Sequence, residues 1–323
     1  MSVFATAADA ATGCFPPRTG QAPTSGTAGY VSVSGNRAFI ADGEGGLAVA
    51  DVSDPVNPRV LGKVDLLGRA SGVAVRGSLA FVAASGAGLL VVNVGRPDQP
   101  AVIGTAQTPG TAKGVAVSGP LAFVAAGEAG LAVVDISAPS APKLLGQQQT
   151  QGYASSVVVT PRGMVVVADG WNGLVGFDVS DPTQPRKLGQ VATQGEALAL
   201  AIAGTIVFVA DGSAGLTVID AADPSDPQLL ANHPTTDKAS GIALSGEAVL
   251  LAVGNRDVVV VRVSDPAKPK RCGRYDARGI ARGVAAAGTT AYVAEGEQGL
   301  TVVDFSACTA PGACEPLSSS PVN

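Results

Sequence analysis

Gly130-Leu-Ala-Val-Val-Asp-Ile-Ser-Ala-Pro-Ser-Ala-Pro142 decides the fold, because the chain writes this phrase seven times. Variants begin at Gly46, Gly88, Gly173, Gly215, Asp257 and Gly299, so the step is 42 or 43 residues throughout. Repetition at one period of this length means one supersecondary unit per repeat, each covering its neighbour's apolar face.

Residues 113–154 show what the unit is. Residues 114–117 read as a short apolar strand, and Ser118-Gly119-Pro120 turns the chain. Residues 121–125 are apolar throughout, as a strand buried on both faces must be. Gly127 to Gly130 supply a hairpin into residues 131–136, and Pro139 and Pro142 then end that strand by removing ladder donors. Residues 143–149 are more polar and form the outermost strand. Four antiparallel strands in about 42 residues is the pattern of a β-propeller blade.

The chain ends point to a closed ring. The seventh repeat loses its pattern after Cys308, while residues 16–28 align without gaps against residues 100–112, a fourth strand. The N-terminal segment thus supplies the outer strand of the last blade. The reading is an all-β, seven-bladed propeller with repeats at 29–70, 71–112, 113–154, 155–197, 198–239, 240–281 and 282–314 plus 16–28. Residues 1–15 are an extension and 315–323 a tail.

Cys14 and Cys308 fall where the ring closes, with Cys314 nearby and Cys272 in the outer strand of blade six. Four cysteines permit three complete pairings, and the sequence leaves them open, as it does four reduced thiols. Bridges place the protein outside the cell, in the periplasm or on a cell surface; reduced thiols leave the cytoplasm open.

Composition removes several partners. The net charge is −5 with no basic stripe, so no nucleic acid is expected. No apolar run reaches about 18 residues, so no transmembrane helix is expected. Residues 1–12 lack the basic start of an intact signal peptide. A closed ring leaves no long unpaired edge toward a neighbour, so a monomer is expected.

Leu216-Thr-Val-Ile-Asp220 and Leu300-Thr-Val-Val-Asp304 resemble the LVIVD repeat, and Ser53-Asp-Pro-Val-Asn-Pro58 matches the same family. The resemblance implies a β-propeller, often exported or surface-associated in bacteria, with no common activity. Repeat six departs from it, with Arg262 in place of the motif Asp.

The recurring acids Asp51, Asp135, Asp178, Asp220 and Asp304 read as turn formers. Positions where repeats disagree carry the functional information, and four rings of them are expected at one channel mouth. The inter-blade links read Thr27, Arg69, Thr111, Tyr153, Glu196, Lys238 and Ile280. The inner strands begin with Gly29, Ser71, Lys113, Ser155, Leu198, Ser240 and Arg282. The second strands end in Asp42, Ala84, Ala126, Asp169, Asp211, Val253 and Glu295, and the tips carry Glu44, Gly86, Glu128, Trp171, Ser213, Asn255 and Glu297.

Two functions follow. The first is a rigid scaffold holding a protein partner or small polar ligand through Tyr153, Trp171, Asn172, Asn255, Arg256, Arg69, Lys113 and Arg282. The alternative is a cofactor-free, metal-independent lyase, hydrolase or isomerase using Glu196, Asp211, Asp169, Lys238 or Tyr153. The lone His233 is expected mid-strand on an outer edge, away from the channel, which removes Ser-His-Asp chemistry and histidine-rich metal sites. Calcium on Asp42, Glu295 or Asp211 lacks EF-hand spacing.

Overall fold

A computed structural model describes residues 14–254, 256–310 and 312–314. The expected extension and tail, apart from Cys14 and Phe15, lie outside these residues, as does Asn255. Seven four-stranded antiparallel sheets form the blades of a propeller. Blade three shows why each strand takes its place. Leu121–Ala125 and Leu131–Asp135 are buried along almost their whole length, whereas Lys143–Gln148 at the rim alternates between exposed and half-buried. The innermost strand is Gly114–Ser118.

The hairpin between the two central strands needs glycine. Gly127 and Gly130 both have positive φ, 58° and 79°, and this sets Ala125 opposite Leu131 in register. Each apolar cluster then spans two blades: Phe81, Leu89 and Val91 of blade two pack with Val124, Val134 and Ile136 of blade three. Burial therefore joins blade to blade as strongly as strand to strand.

A second seam device lies at the rim. The outer strand carries a β-bulge, between the partners of Val133 and Val134 in blade three. The glycine beside it, Gly146, leaves no room for a side chain: a Cβ there would lie 2.5 Å from the Pro182 carbonyl oxygen and 2.7 Å from that of Thr183, in the next blade's turn. Gly62 and Gly189 meet the following turn in the same way.

The ring closes as the chain ends imply. Arg18–Ala22 pairs antiparallel with Leu300–Asp304 and completes the seventh blade. The prolines of the seventh turn are replaced by a short helix, Ser306–Thr309. Disulfides Cys14–Cys308 and Cys272–Cys314 gather at this seam, around Gly273.

One residue departs from its expected place. His233 ends the outer strand Gln228–His233 and sits opposite Leu216, only 3% exposed. It is in the outermost strand, but its end of that strand is buried, paired with the fully buried Leu216.

Candidate functional site

Links and hairpins share one face. Gly127 and Ala154 exchange two backbone hydrogen bonds of 3.0 Å, so the tip of blade three holds the link into blade four. The same pairing joins Gly43 to Ala70, Gly170 to Ala197, Gly212 to Ala239 and Gly296 to Ala28. Link residues are therefore fixed by backbone, and their side chains are free to vary.

Tyr153 and Trp171 are the large apolar groups of this mouth on blade four. The Tyr153 ring lies against Gly127, and its Cβ lies beside Gly170, the residue before Trp171. Lys113 places its ammonium 5.7 Å from the Tyr153 ring centroid. Trp171 remains 69% exposed and Tyr153 39% exposed. Asn172, next to Trp171, is half-buried and accepts the Gln190 side-chain amide on its carbonyl at 2.9 Å.

The acids ending the second strands are not at the mouth. Asp42, Asp169 and Asp211 are 0% exposed. The segment before each link folds over them. Asp211 accepts the hydroxyls of Thr193 at 2.6 Å and Thr217 at 2.8 Å, and the Gly195 N–H at 3.1 Å. Asp42 does the same with Thr24 and Gly26, and Asp169 accepts the Gly152 N–H at 2.9 Å. Burial holds the Asp169 carboxyl above the usual carboxylate range. Glu295 faces the N–H groups of Arg278 and Gly279. These carboxylates latch links to hairpins, and the signal was a threonine two residues before the link glycine, as in Thr193-Gln-Gly195 and Thr24-Ser-Gly26.

Glu196 and Lys238 do stay at the mouth, joined by a 2.7 Å salt bridge. Arg256 is exposed beyond them. The structure thus brings together Tyr153, Trp171 and Lys113, and separately Glu196 and Lys238, while each buried aspartate ties its hairpin to the link arriving from the preceding blade.

The recurring acids behave as turn formers. Asp51, Asp135, Asp178, Asp220 and Asp304 each accept the backbone N–H two residues on, at 2.8 to 3.0 Å. For Asp178 these bonds, with the Arg186 guanidinium, lower the carboxyl pKa.

Two hollows open on the mouth. The channel between the inner strands holds a cavity of about 210 Å³ that includes Lys113 and Arg282. Arg282 also lines a depression of about 420 Å³ shared with Arg69, Ile280 and Glu297. A third cavity, about 570 Å³, lies at the turns of the opposite face, between blades six and seven, against Phe305 and Cys272.

A rigid ring with uniform blades and a non-uniform mouth defines a seven-bladed β-propeller. The chain belongs to the LVIVD repeat family, which it matches at residues 25–66, 67–108, 109–150, 151–193, 194–235, 237–277 and 278–315. Two crystal structures share the fold. The β-propeller domain of Cps50 (Swd1) from Myceliophteria thermophila has a TM-score of 0.73 at 13% identity, over 90% of this chain and 99% of its own. The computationally designed Ika8 protein gives 0.64 at 13% identity, over 88% and 100%. No curated protein matches the sequence.

Proposed function

We propose that this protein is a non-catalytic scaffold of an oxidising, extracytoplasmic compartment that holds a protein partner on the blade-four side of its mouth. One observation carries the reading: Trp171, the only tryptophan in the chain, stands 69% exposed on a glycine-bounded hairpin beside Tyr153. An exposed tryptophan on rigid backbone loses little entropy on contact and buries a large apolar area, as interface anchors do. The glutamate and lysine nearest to acid–base chemistry already neutralise each other, so the enzyme alternative gains no support. Pairing of all four cysteines supports the compartment. The scaffold acts as a monomer, which sedimentation checks.

A photo-cross-linking residue placed at position 172 in the native host tests the reading. One reproducible protein adduct is expected, and Trp171→Ala should remove it, since such an anchor contributes about 2 kcal/mol or more. The control is the same cross-linker at Leu144, on an exposed outer strand. Equal capture from both positions, or an adduct indifferent to Trp171→Ala, would falsify the proposal.

A further inference from the structure

The channel differs from the rest of the molecule in charge. The chain carries 26 acidic and 21 basic side chains, yet Lys113 and Arg282 line the channel with no carboxylate among its walls. They come from blades three and seven, three steps apart one way round the ring and four the other, so they approach from opposite sides. Among the described residues, neither side chain forms a salt bridge or donates a hydrogen bond. Glu295 and Glu297 line the neighbouring depression, which Arg282 also reaches, but Glu295 is turned toward backbone N–H groups and neither acid forms a salt bridge with Arg282.

The remaining walls are donors or small. Ser71, Ser155 and Ser240 bring hydroxyls, and Tyr30 brings a phenol. Tyr30 is 40% exposed and lines the channel, and desolvation by the surrounding protein raises its pKa, so it stays an O–H donor. Glycines keep the channel narrow but open: a Cβ on Gly241 would lie 2.7 Å from the Arg282 carbonyl oxygen, and one on Gly283 2.8 Å from that of Gly29. Neither cation is paired with a carboxylate among the described residues, and the Lys113 ammonium lies 5.7 Å from the Tyr153 ring centroid; an anion bound between the two like charges relieves their repulsion and gains charge-assisted hydrogen bonds.

We propose that the channel binds one small dianion, a phosphate or a short dicarboxylate, between Lys113 and Arg282. The cavity of about 210 Å³ leaves room for an ion of this size. The site meets the partner surface only through Lys113, which lies over the Tyr153 ring, and it draws no contact from Trp171 itself.

Titration calorimetry at low ionic strength, with sodium phosphate and with sodium succinate as probes, tests this. Saturable binding at one site is expected for at least one probe. The tighter of the two assigns the ligand as phosphoryl or dicarboxylate. The double variant Lys113→Met, Arg282→Met should lose about tenfold or more in affinity, because each charge-assisted bond is worth at least that factor. Trp171→Ala should bind the anion as wild type does, so failure here and failure of the partner surface are told apart. Should the double variant not fold, Lys113→Gln alone must weaken binding by about threefold or more. No saturable binding below about 10 mM, or a folded double variant with affinity within tenfold of wild type, overturns the site.

Discussion

Cys14 and Cys308 are joined by a disulfide although 294 positions separate them in the chain. The bond lies where Arg18–Ala22 pairs with Leu300–Asp304, so the one blade built from both chain ends is closed by hydrogen bonds and by a covalent link. Loop-closure entropy gives a crosslink of that span roughly 5 kcal/mol as an upper figure. Cys272–Cys314 spans 42 positions, for which the same argument gives roughly 4 kcal/mol.

Replacing Cys14 and Cys308 by serine should therefore lower the melting temperature by up to roughly 8 °C, given the unfolding entropy of a domain this size. The Cys272, Cys314 pair should matter less. Scanning calorimetry of the two double variants decides it. An equal or larger loss for the shorter span would mean that local packing, not ring closure, is what the bonds provide.

At the rim, Gly146→Ala should destabilise the fold. A methyl group there meets two carbonyl oxygens of the next blade at 2.5 and 2.7 Å, and backbone cannot step aside as a side chain can. Overpacking of this kind costs about 1–3 kcal/mol. Gly29→Ala is the control, since its nearest neighbour would be 3.8 Å away, and it should change stability by less than about 0.5 kcal/mol. Urea denaturation of both variants makes the comparison.

How much of this was written in the sequence varies by residue. Residues 121–125 were readable as a strand to the residue, because the turn before and the hairpin glycine after mark its ends. Trp171 at a tip was equally readable. Asp169 and Asp211 were not, since a strand-end acid beside a hairpin glycine looks open to solvent until the link from the preceding blade folds over it. That contact joins segments 16 or 17 residues apart through tertiary structure, and its one local trace, the threonine two residues before the link glycine, does not by itself report burial. The disulfide pairing was hidden for a related reason: Cys14 donates its N–H to the Cys272 carbonyl, so the ring brings all four cysteines together.

Asp211→Ala should be among the most damaging single changes beneath the mouth. It would strand the buried Thr217 hydroxyl and the Gly195 N–H, together with the half-buried Thr193 hydroxyl. An unpaired buried donor costs about 1–3 kcal/mol, and the hydroxyls can rotate to other acceptors, so a loss of about 3 kcal/mol is expected. Ala126, which occupies the same place in blade three without an acid, shows that the blade itself tolerates alanine. A near-neutral result would mean that Thr193 and Thr217 repair themselves, and a crystal structure of the variant would show it.

Acid should weaken the protein in two separable steps. His233 is the only histidine, and burial, aided by the charge of Arg271, lowers its pKa below 6.5. A folded pKa below the unfolded one means the folded state prefers the neutral ring. That contribution is complete above pH 6.5 and is lost as pH falls through the folded pKa. The turn acids give the second step: hydrogen bonds from Ser180, and then Arg186, hold Asp178 below 3.8, and Ser137 does the same for Asp135. Their contribution is present above pH 3.8 and disappears below it. Asp169 opposes this step, because burial raises its pKa and protonation relieves the buried charge. Melting temperature measured against pH should thus fall first below about 6.5 and again below about 4. His233→Gln should abolish the first fall and leave the second, while Asp178→Asn should shrink only the second. Proton NMR of the single imidazole checks the assignment directly: a midpoint at or above 6.5 would show that His233 is not held neutral by its packing.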